Sequence, residues 1–197
     1  MFHDLSPAML ERMRVLEARD AEDRTDGTPH ADRLRQIPPD TGKFLAILAA
    51  STPEGDWVEV GSGAGYSAMW LSLACKAKGR GLTTYELSEK KAALARETLR
   101  LAGIESQVEL VQGDALEELE KRRGVAFAFL DAERSILAPC YELLLTRMVP
   151  GGIICADNVI SHKHQIEDFL AMIPQDSRVD SVIVPIGSGV LVCRLPG

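Results

Sequence analysis

At 197 residues the chain is long enough for one domain with a core of its own and short for two. Hydrophobic residues make up 46% and charged residues 26%, an ordinary globular balance. With 22 Lys+Arg against 29 Asp+Glu, net charge -7, and no basic cluster, a grip on nucleic-acid backbone is excluded as a working idea. The cysteines at 75, 140, 155 and 193 form no C-x-x-C pair, which argues against a disulfide framework or zinc site. Cys155 and Cys193 sit in apolar runs and read as small buried hydrophobes. No apolar stretch reaches the ~18 residues of a membrane span, and Met1-Phe-His-Asp-Leu5 carries no basic region before an apolar core. The cytoplasm is the default address, with no membrane partner.

Leu5, Met9, Met13 and Leu16 recur at helical spacing and predict one apolar stripe on a charged helix. Such a stripe covers the domain core or the equivalent helix of a homodimer partner. Residues 1–36 therefore read as an N-terminal helical extension, and 37–197 as the main domain. Asp20 to His30 is polar, contains Gly27 and Pro29, and predicts a mobile connection. Pro38-Pro39-Asp40 then starts a helix through Leu48.

From Trp57 the pattern alternates. Strands are expected at 57–60, 81–86, 108–112, 125–130, 152–156, 179–185 and 189–194, with helices near 65–78, 89–102, 115–122, 138–148 and 164–173. Ser88 before Glu89, and Asp114 three residues before Glu117, mark helix N-termini. Strand–helix alternation implies right-handed crossovers and helices on both faces of a mainly parallel sheet. The last two strands are separated only by Ile186-Gly-Ser-Gly189 and predict an antiparallel hairpin. The expected class is α/β: doubly wound and Rossmann-like, with a seven-stranded, mainly parallel sheet and an antiparallel C-terminal hairpin strand.

Trp57-Val-Glu-Val-Gly-Ser-Gly-Ala-Gly-Tyr-Ser67 reads as a strand, a tight glycine turn and a helix start, the arrangement that admits a nucleotide-like ligand to the backbone. The dinucleotide pattern G-x-G-x-x-G fails because Tyr66 holds its last position, and no G-x-x-x-x-G-K-[ST] occurs. Further candidates stand at the carboxyl ends of strands, where open α/β sheets collect ligands. Glu86 can accept from both hydroxyls of a ribose or simply cap the next helix. Asp114 can receive an adenine amino group, with Ala115 leaving room for the ring, or serve only as an N-cap. Asp131 ends one apolar strand, and Asp157-Asn158 end another. If those strands are neighbours, their tips lie about 5 Å apart and offer three oxygen ligands to Mg²⁺. Otherwise the two carboxylates cap loops or touch the cofactor.

Residues 38–197 resemble the cation-dependent O-methyltransferases of the catechol and caffeoyl-coenzyme A group. The likeness rests on Glu59-Val-Gly-Ser-Gly-Ala-Gly-Tyr-Ser-Ala68, Tyr85-Glu86, Gly113-Asp-Ala115, Phe129-Leu-Asp131, Gly151-Gly-Ile-Ile-Cys-Ala-Asp-Asn158 and Pro185-Ile-Gly-Ser-Gly-Val190. It implies a class I methyltransferase fold moving a methyl group from S-adenosylmethionine to a hydroxyl of a small, in the family diphenolic, acceptor. It also implies that Gly61, Gly63, Ser67, Glu86 and Ala115 contact the donor, alongside Glu59, Tyr66, Leu87, Asp114 and Asp131. Asp131, Asp157 and Asn158 would hold the divalent metal.

The chain departs from the family at three places. The family's lysine, three residues after the first metal aspartate, is Arg134 here. A guanidinium stays protonated, so Arg134 is left to orient an acidic substrate or stabilise an ionised oxygen. The base is then His162 or His164, with Lys163 a further option. Val190-Leu191 follow Gly189 where catechol enzymes carry a glutamate that grips the second hydroxyl. The N-terminal extension is shorter than that of the caffeoyl-coenzyme A enzymes, so their acyl-carrier pocket is not implied. Two alternatives stay open: a metal-independent methyltransferase with a histidine base, and a non-catalytic S-adenosylmethionine-binding or interaction domain, which Arg134 alone favours. Arg12, Arg14, Arg33 and Arg35 either reach an acidic substrate or are solvated charges.

Overall fold

A computed structural model describes residues 1–197, apart from the side chain of Asp4. In chain order the elements are α1 (Pro7–Asp23), α2 (Pro39–Ala50), β1 (Asp56–Val60), α3 (Tyr66–Lys78), β2 (Leu82–Glu86), α4 (Glu89–Ala102) and β3 (Val108–Gln112). They continue with α5 (Ala115–Glu120), β4 (Val125–Leu130), α6 (Leu137–Leu145), β5 (Met148–Ala156), α7 (Glu167–Met172), β6 (Asp180–Val184) and β7 (Val190–Arg194). One seven-stranded sheet runs β3-β2-β1-β4-β5-β7-β6. The first five strands are parallel, and β7 is antiparallel to both β5 and β6, as the short connection before Val190 requires.

Burial follows from this arrangement. Every residue of β4, Val125 to Leu130, is buried, the near-continuous apolar run of a parallel strand covered on both faces. Phe127 and Phe129 join the core shared with α1, α2 and α3, whereas Ala128 and Leu130 join the core shared with α5, α6 and α7. Helix α2 crosses α3 at Gly42, where a Cβ would lie 2.2 Å from Trp70 Cδ1.

Helix α1 begins at Ser6, whose Oγ accepts from Met9 N at 3.1 Å, with Pro7 in the first turn. Its stripe of Met9, Met13 and Leu16 is buried in this chain's own core. The helix packs on α4 and α3, and Arg12 fixes it by donating Nε–H to Thr98 Oγ1 at 3.0 Å. Asp20–Asp23 belong to α1 instead of a loose connection. Asp23, buried, accepts from Leu34 N at 3.0 Å, and Asp20 Oδ1 accepts from Gln36 N at 3.3 Å. These acids supply acceptors for a segment with no ladder partners, so 24–38 lies as a strap with Leu34 and Ile37 buried beneath it.

Two boundaries moved for one reason. The strand expected at 152–156 is longer, with β5 starting at Met148. Val125 pairs with Met148 and Phe127 with Ile153, so β5 carries extra residues in a bulge, with Gly151 at φ 77. Helix α6 accordingly stops at Leu145, and Arg147 N donates to Leu144 O at 2.7 Å to turn the chain. Among the described residues no helix is long and apolar enough to cross a membrane.

Candidate active site

Register assembles the site. Val60 pairs with Tyr85 on one side and Leu130 on the other, and Leu130 pairs with Ala156. The next residue of each strand is therefore in one row: Glu86, Gly61, Asp131, Asp157, at the strand separation of about 4.8 Å. Asp131 N donates to Val60 O at 2.9 Å and Asp157 N to Leu130 O at 3.0 Å, which extends the ladder to the carboxylates themselves. The chain departs to opposite sides of β1 through β2 and β4, so the row straddles the switch point where α/β sheets bind ligands.

Gly61 has φ 97, and a Cβ there would lie 2.2 Å from Asp131 O. Only glycine lets the loop leave β1 this close to β4. Gly61 N and Ser62 N both donate to Tyr85 O, at 2.9 and 3.1 Å, and Gly65 N to Ser62 O at 2.7 Å, closing the turn before α3. Glu86 braces the loop, accepting from Gly63 N at 2.9 Å on Oε2 and from Ser88 N at 2.9 Å on Oε1. Each oxygen keeps a further lone pair.

Beyond the row opens a cavity of about 640 Å³. Of the sequence candidates, Gly61, Gly63, Tyr66, Ser67, Glu86, Leu87, Asp131, Arg134, Asp157, Asn158 and His162 line it. Four do not. Glu59 is fully buried behind the loop, accepting from Thr84 Oγ1 at 2.5 Å, and Thr84 Oγ1 also meets Ser62 Oγ at 2.5 Å. Burial, with Glu86 adding repulsion, pushes the Glu59 carboxyl up to about 7 against the Ser67 and Thr84 hydroxyls. Asp114 caps α5, accepting from Leu116 N at 2.8 Å, and Ala115 is buried beside it in the core. His164 is exposed within a short 3₁₀ turn, Lys163–Gln165, and lies outside the cavity wall with Lys163.

Asn158 has φ 67, in the left-handed region asparagine tolerates, and turns its side chain back onto the row. Its Nδ2 donates to Asp131 Oδ1 at 3.0 Å and to Asp157 Oδ2 at 3.1 Å. Burial raises both carboxyls, and Asp157 repels Asp131 further. Asp157 Oδ1 is buried with no hydrogen-bond partner. Among the described residues no group of three His, Cys, Asp or Glu is placed to hold a metal, so any cation set here consists of two carboxylates and an amide.

His162 Nδ1 lies 2.8 Å from Ser161 Oγ. Burial lowers its pKa, and Arg134, His164, His30 and Arg35 lower it further, which favours the neutral ring. Arg134 donates Nη1–H to Ala132 O at 2.7 Å while its Nε is buried without a partner.

The O-methyltransferase family model matches residues 21–195. The chain belongs to that family. It is a class I S-adenosylmethionine-dependent O-methyltransferase. Among its relatives, the catechol O-methyltransferase of Niastella koreensis is 31% identical over 165 residues, 75% of this chain and 74% of that protein. The caffeoyl-CoA O-methyltransferase of Populus kitakamiensis is 28% identical over 182 residues, 80% and 77% of the two chains. The O-methyltransferase of Bacillus cereus in complex with SAH superposes with TM-score 0.75 at 26% identity, over 96% of this chain and 91% of that one.

The methyltransferase has cavity residues that no motif marked. Lys91 sits one turn into α4, and burial followed by Arg35 lowers its pKa. Its only sequence signal was position, just after the Ser88 cap at a strand's carboxyl end. His30 comes from the strap, whose course the sequence pattern did not reveal, and the same strap brings Arg33 and Arg35, named above with Arg12 and Arg14, to the cavity wall, which Arg12 and Arg14 do not line.

Proposed function

We propose that this methyltransferase moves the donor's methyl group onto a phenolic hydroxyl of a small acceptor, assisted by a divalent cation at Asp131, Asp157 and Asn158. One observation carries the cation: the Asn158 amide joins the Asp131 and Asp157 carboxylates while Asp157 Oδ1 stays buried and unpartnered. An unmet buried carboxylate oxygen beside a second raised carboxyl is a costly arrangement, and a hard cation relieves it. Rotating the Asn158 amide by half a turn would present its oxygen where the NH₂ now stands, completing an all-oxygen set. When bound, a Mg²⁺-type ion would acidify and fix the acceptor hydroxyl.

The chain's own residues supply the rest. The glycine loop and Glu86 position the donor, Glu86 with its free lone pairs toward the ribose. Glu59 acts through Thr84 on Ser62 and holds the loop without touching the donor. His162, open to the cavity, accepts the hydroxyl proton at Nε2 in the tautomer whose Nδ1–H donates to Ser161 Oγ. Arg134 stabilises the developing oxyanion but cannot take its proton. Without lysine as base, an acidic hydroxyl fits best, and a phenol near pKa ~10 is far easier to ionise than an alcohol. Collinear placement of that oxygen with the S–CH₃ bond accounts for most of the rate.

The test is transfer of labelled methyl to a diphenol panel in Mg²⁺ and in chelator. Asp157→Ala is expected to lose metal-dependent turnover while keeping donor affinity within about threefold, a change under 1 kcal/mol. Equal rates in chelator and Mg²⁺ would favour the second reading, metal-free transfer with His162 as base, for which the neutral ring in the cavity speaks.

A further inference from the structure

Resting on the cavity as the methyl-transfer site, we propose that the acceptor carries a carboxylate beside its reacting hydroxyl, gripped by Arg35 and Arg134. Both arginines line the cavity, and among the described residues each is anchored through one terminal nitrogen. Arg35 donates Nη2–H to Glu133 Oε1 at 3.1 Å, and Arg134 donates Nη1–H to Ala132 O at 2.7 Å. The Nε–H of each is buried and has no hydrogen-bond partner. Buried donors on fixed charges are costly to leave unmet, and two arginines with hydrogen-bonding capacity to spare on one cavity wall suit an anionic acceptor group.

Backbone geometry agrees. Arg35 has φ 52, a conformation that non-glycine residues seldom adopt. It is held there from both sides, since Leu34 N is bonded to Asp23 and Gln36 N to Asp20. The strap thus fixes Arg35 over the cavity independently of Glu133, whose own side chain is largely in solvent.

The charge balance also points one way. Arg134 and Arg35 both act on Asp131 and on His162, so an acceptor presenting its hydroxyl to the Asp131–Asp157 pair lies in the field of both. A divalent cation held at Asp131, Asp157 and Asn158 would offset those two carboxylates. Of the other lining charges, Arg24 pairs with Asp20, Arg35 with Glu133 and Lys91 lies near Glu86, so Arg134 and Arg33 leave a surplus positive charge. A guanidinium is planar and forked and matches carboxylate geometry, where lysine offers a point charge. The cavity of about 640 Å³ must also admit the donor, which restricts the acceptor to something small, such as a dihydroxylated aromatic acid.

The experiment compares a dihydroxybenzoate with its uncharged amide, using the full chain with donor and Mg²⁺. We expect kcat/KM to favour the acid by roughly tenfold to a hundredfold, the worth of one charge-assisted hydrogen bond. Arg35→Gln and Arg134→Gln should each bring that ratio toward one, and Arg134→Lys should keep part of it. Equal kcat/KM for acid and amide in the unmodified enzyme overturns the inference. So does a ratio that survives both glutamine variants, or variants that raise the donor KM alike with either acceptor, which would assign the arginines to the donor's own carboxylate. If neither compound is methylated, calorimetry in the presence of the demethylated donor separates the two ideas. Tighter binding of the acid than the amide, lost in Arg35→Gln, sustains the carboxylate grip and refutes diphenol methylation; no preference for the acid overturns the grip as well.

Discussion

Replacing Gly61 with alanine tests whether the row of strand ends is as tightly built as described. The added Cβ would meet Asp131 O at 2.2 Å, Asp131 C at 2.8 Å and Ala132 N at 3.2 Å, all backbone atoms of the adjoining strand end. No rotamer change relieves such contacts; β1 and β4 must separate where the cavity begins. The left-handed backbone costs alanine ~1–2 kcal/mol, and forced displacement of packed backbone ~1–3 kcal/mol more. Together about 2–5 kcal/mol is a large part of a total stability of ~5–15 kcal/mol. For a chain of this size that predicts a fall in Tm of roughly 4–20 °C. Gly63 is the control. It also has positive φ, 53, but a Cβ there would find only Leu34 O at 3.9 Å. Gly63→Ala should cost about 1 kcal/mol of stability and act chiefly on donor affinity, because its methyl enters the cavity. Thermal denaturation by circular dichroism, paired with calorimetric titration of the donor, reads both quantities. If Gly61→Ala melts within about 2 °C of Gly63→Ala and binds donor normally, the close approach of β1 to Asp131 is wrong.

Three further outcomes follow from buried polar groups. Thr84→Val removes the hydroxyl between Glu59 and Ser62 and should cost ~1–3 kcal/mol in urea unfolding while weakening donor affinity. Arg12→Ala strips α1 of its bonds to Thr98 and to Glu97, the latter at 3.2 Å, and should cost a similar ~1–3 kcal/mol, with α1 amides losing hydrogen-exchange protection first. The Glu59 carboxyl titrates at about 7 in the folded chain against an ordinary value of 4.5, so the folded state holds the extra proton. Its stabilisation is complete below pH 4.5 and is lost as pH rises through 7, amounting to roughly 3 kcal/mol over the window. Glu59→Gln should flatten that slope and melt higher than the parent at pH 8, as Tm measured from pH 5 to 8 would reveal.

Periodicity and caps located β2, α4, β3 and β4 within a residue, because each is bounded by a glycine or a capping side chain that acts locally. The departures lie where distant groups decide. Pro150-Gly151-Gly152 has the local chemistry of a turn, yet neighbouring β4 recruits Met148 and Val149 into the sheet and absorbs the surplus as a bulge. The polar stretch from Asp20 looked loose because its partners are backbone amides of Leu34 and Gln36, which carry no side-chain signature. Likewise the stripe of Met9, Met13 and Leu16 announced a buried helix face, but only tertiary packing assigned it to the chain's own core.

The site divides along the same line. Glu86 ends a strand, and Gly61, Asp131 and Asp157 each follow one directly, so their position at a sheet edge was readable; that they share one row required the strand order, which crossovers alone do not fix. Glu59 belongs to the same motif but faces away. Val58 and Val60 point into the core under α5 and α6, and alternation sends Glu59 to the opposite face, short of the strand tip. The two histidines are the sharpest case. His162 and His164 are equivalent by composition and spacing, and nothing local separates them. Selection comes from the hairpin: Ile160 N and Ser161 N both donate to Ser188 O at 3.1 Å, and His162 N donates to Asn158 O at 3.0 Å. Those three bonds fold the chain back against the cavity through His162, after which the 3₁₀ turn carries His164 into solvent. Which histidine faces the cavity thus depends on a turn some 25 residues downstream of it in sequence, a distance over which pattern reading has no purchase.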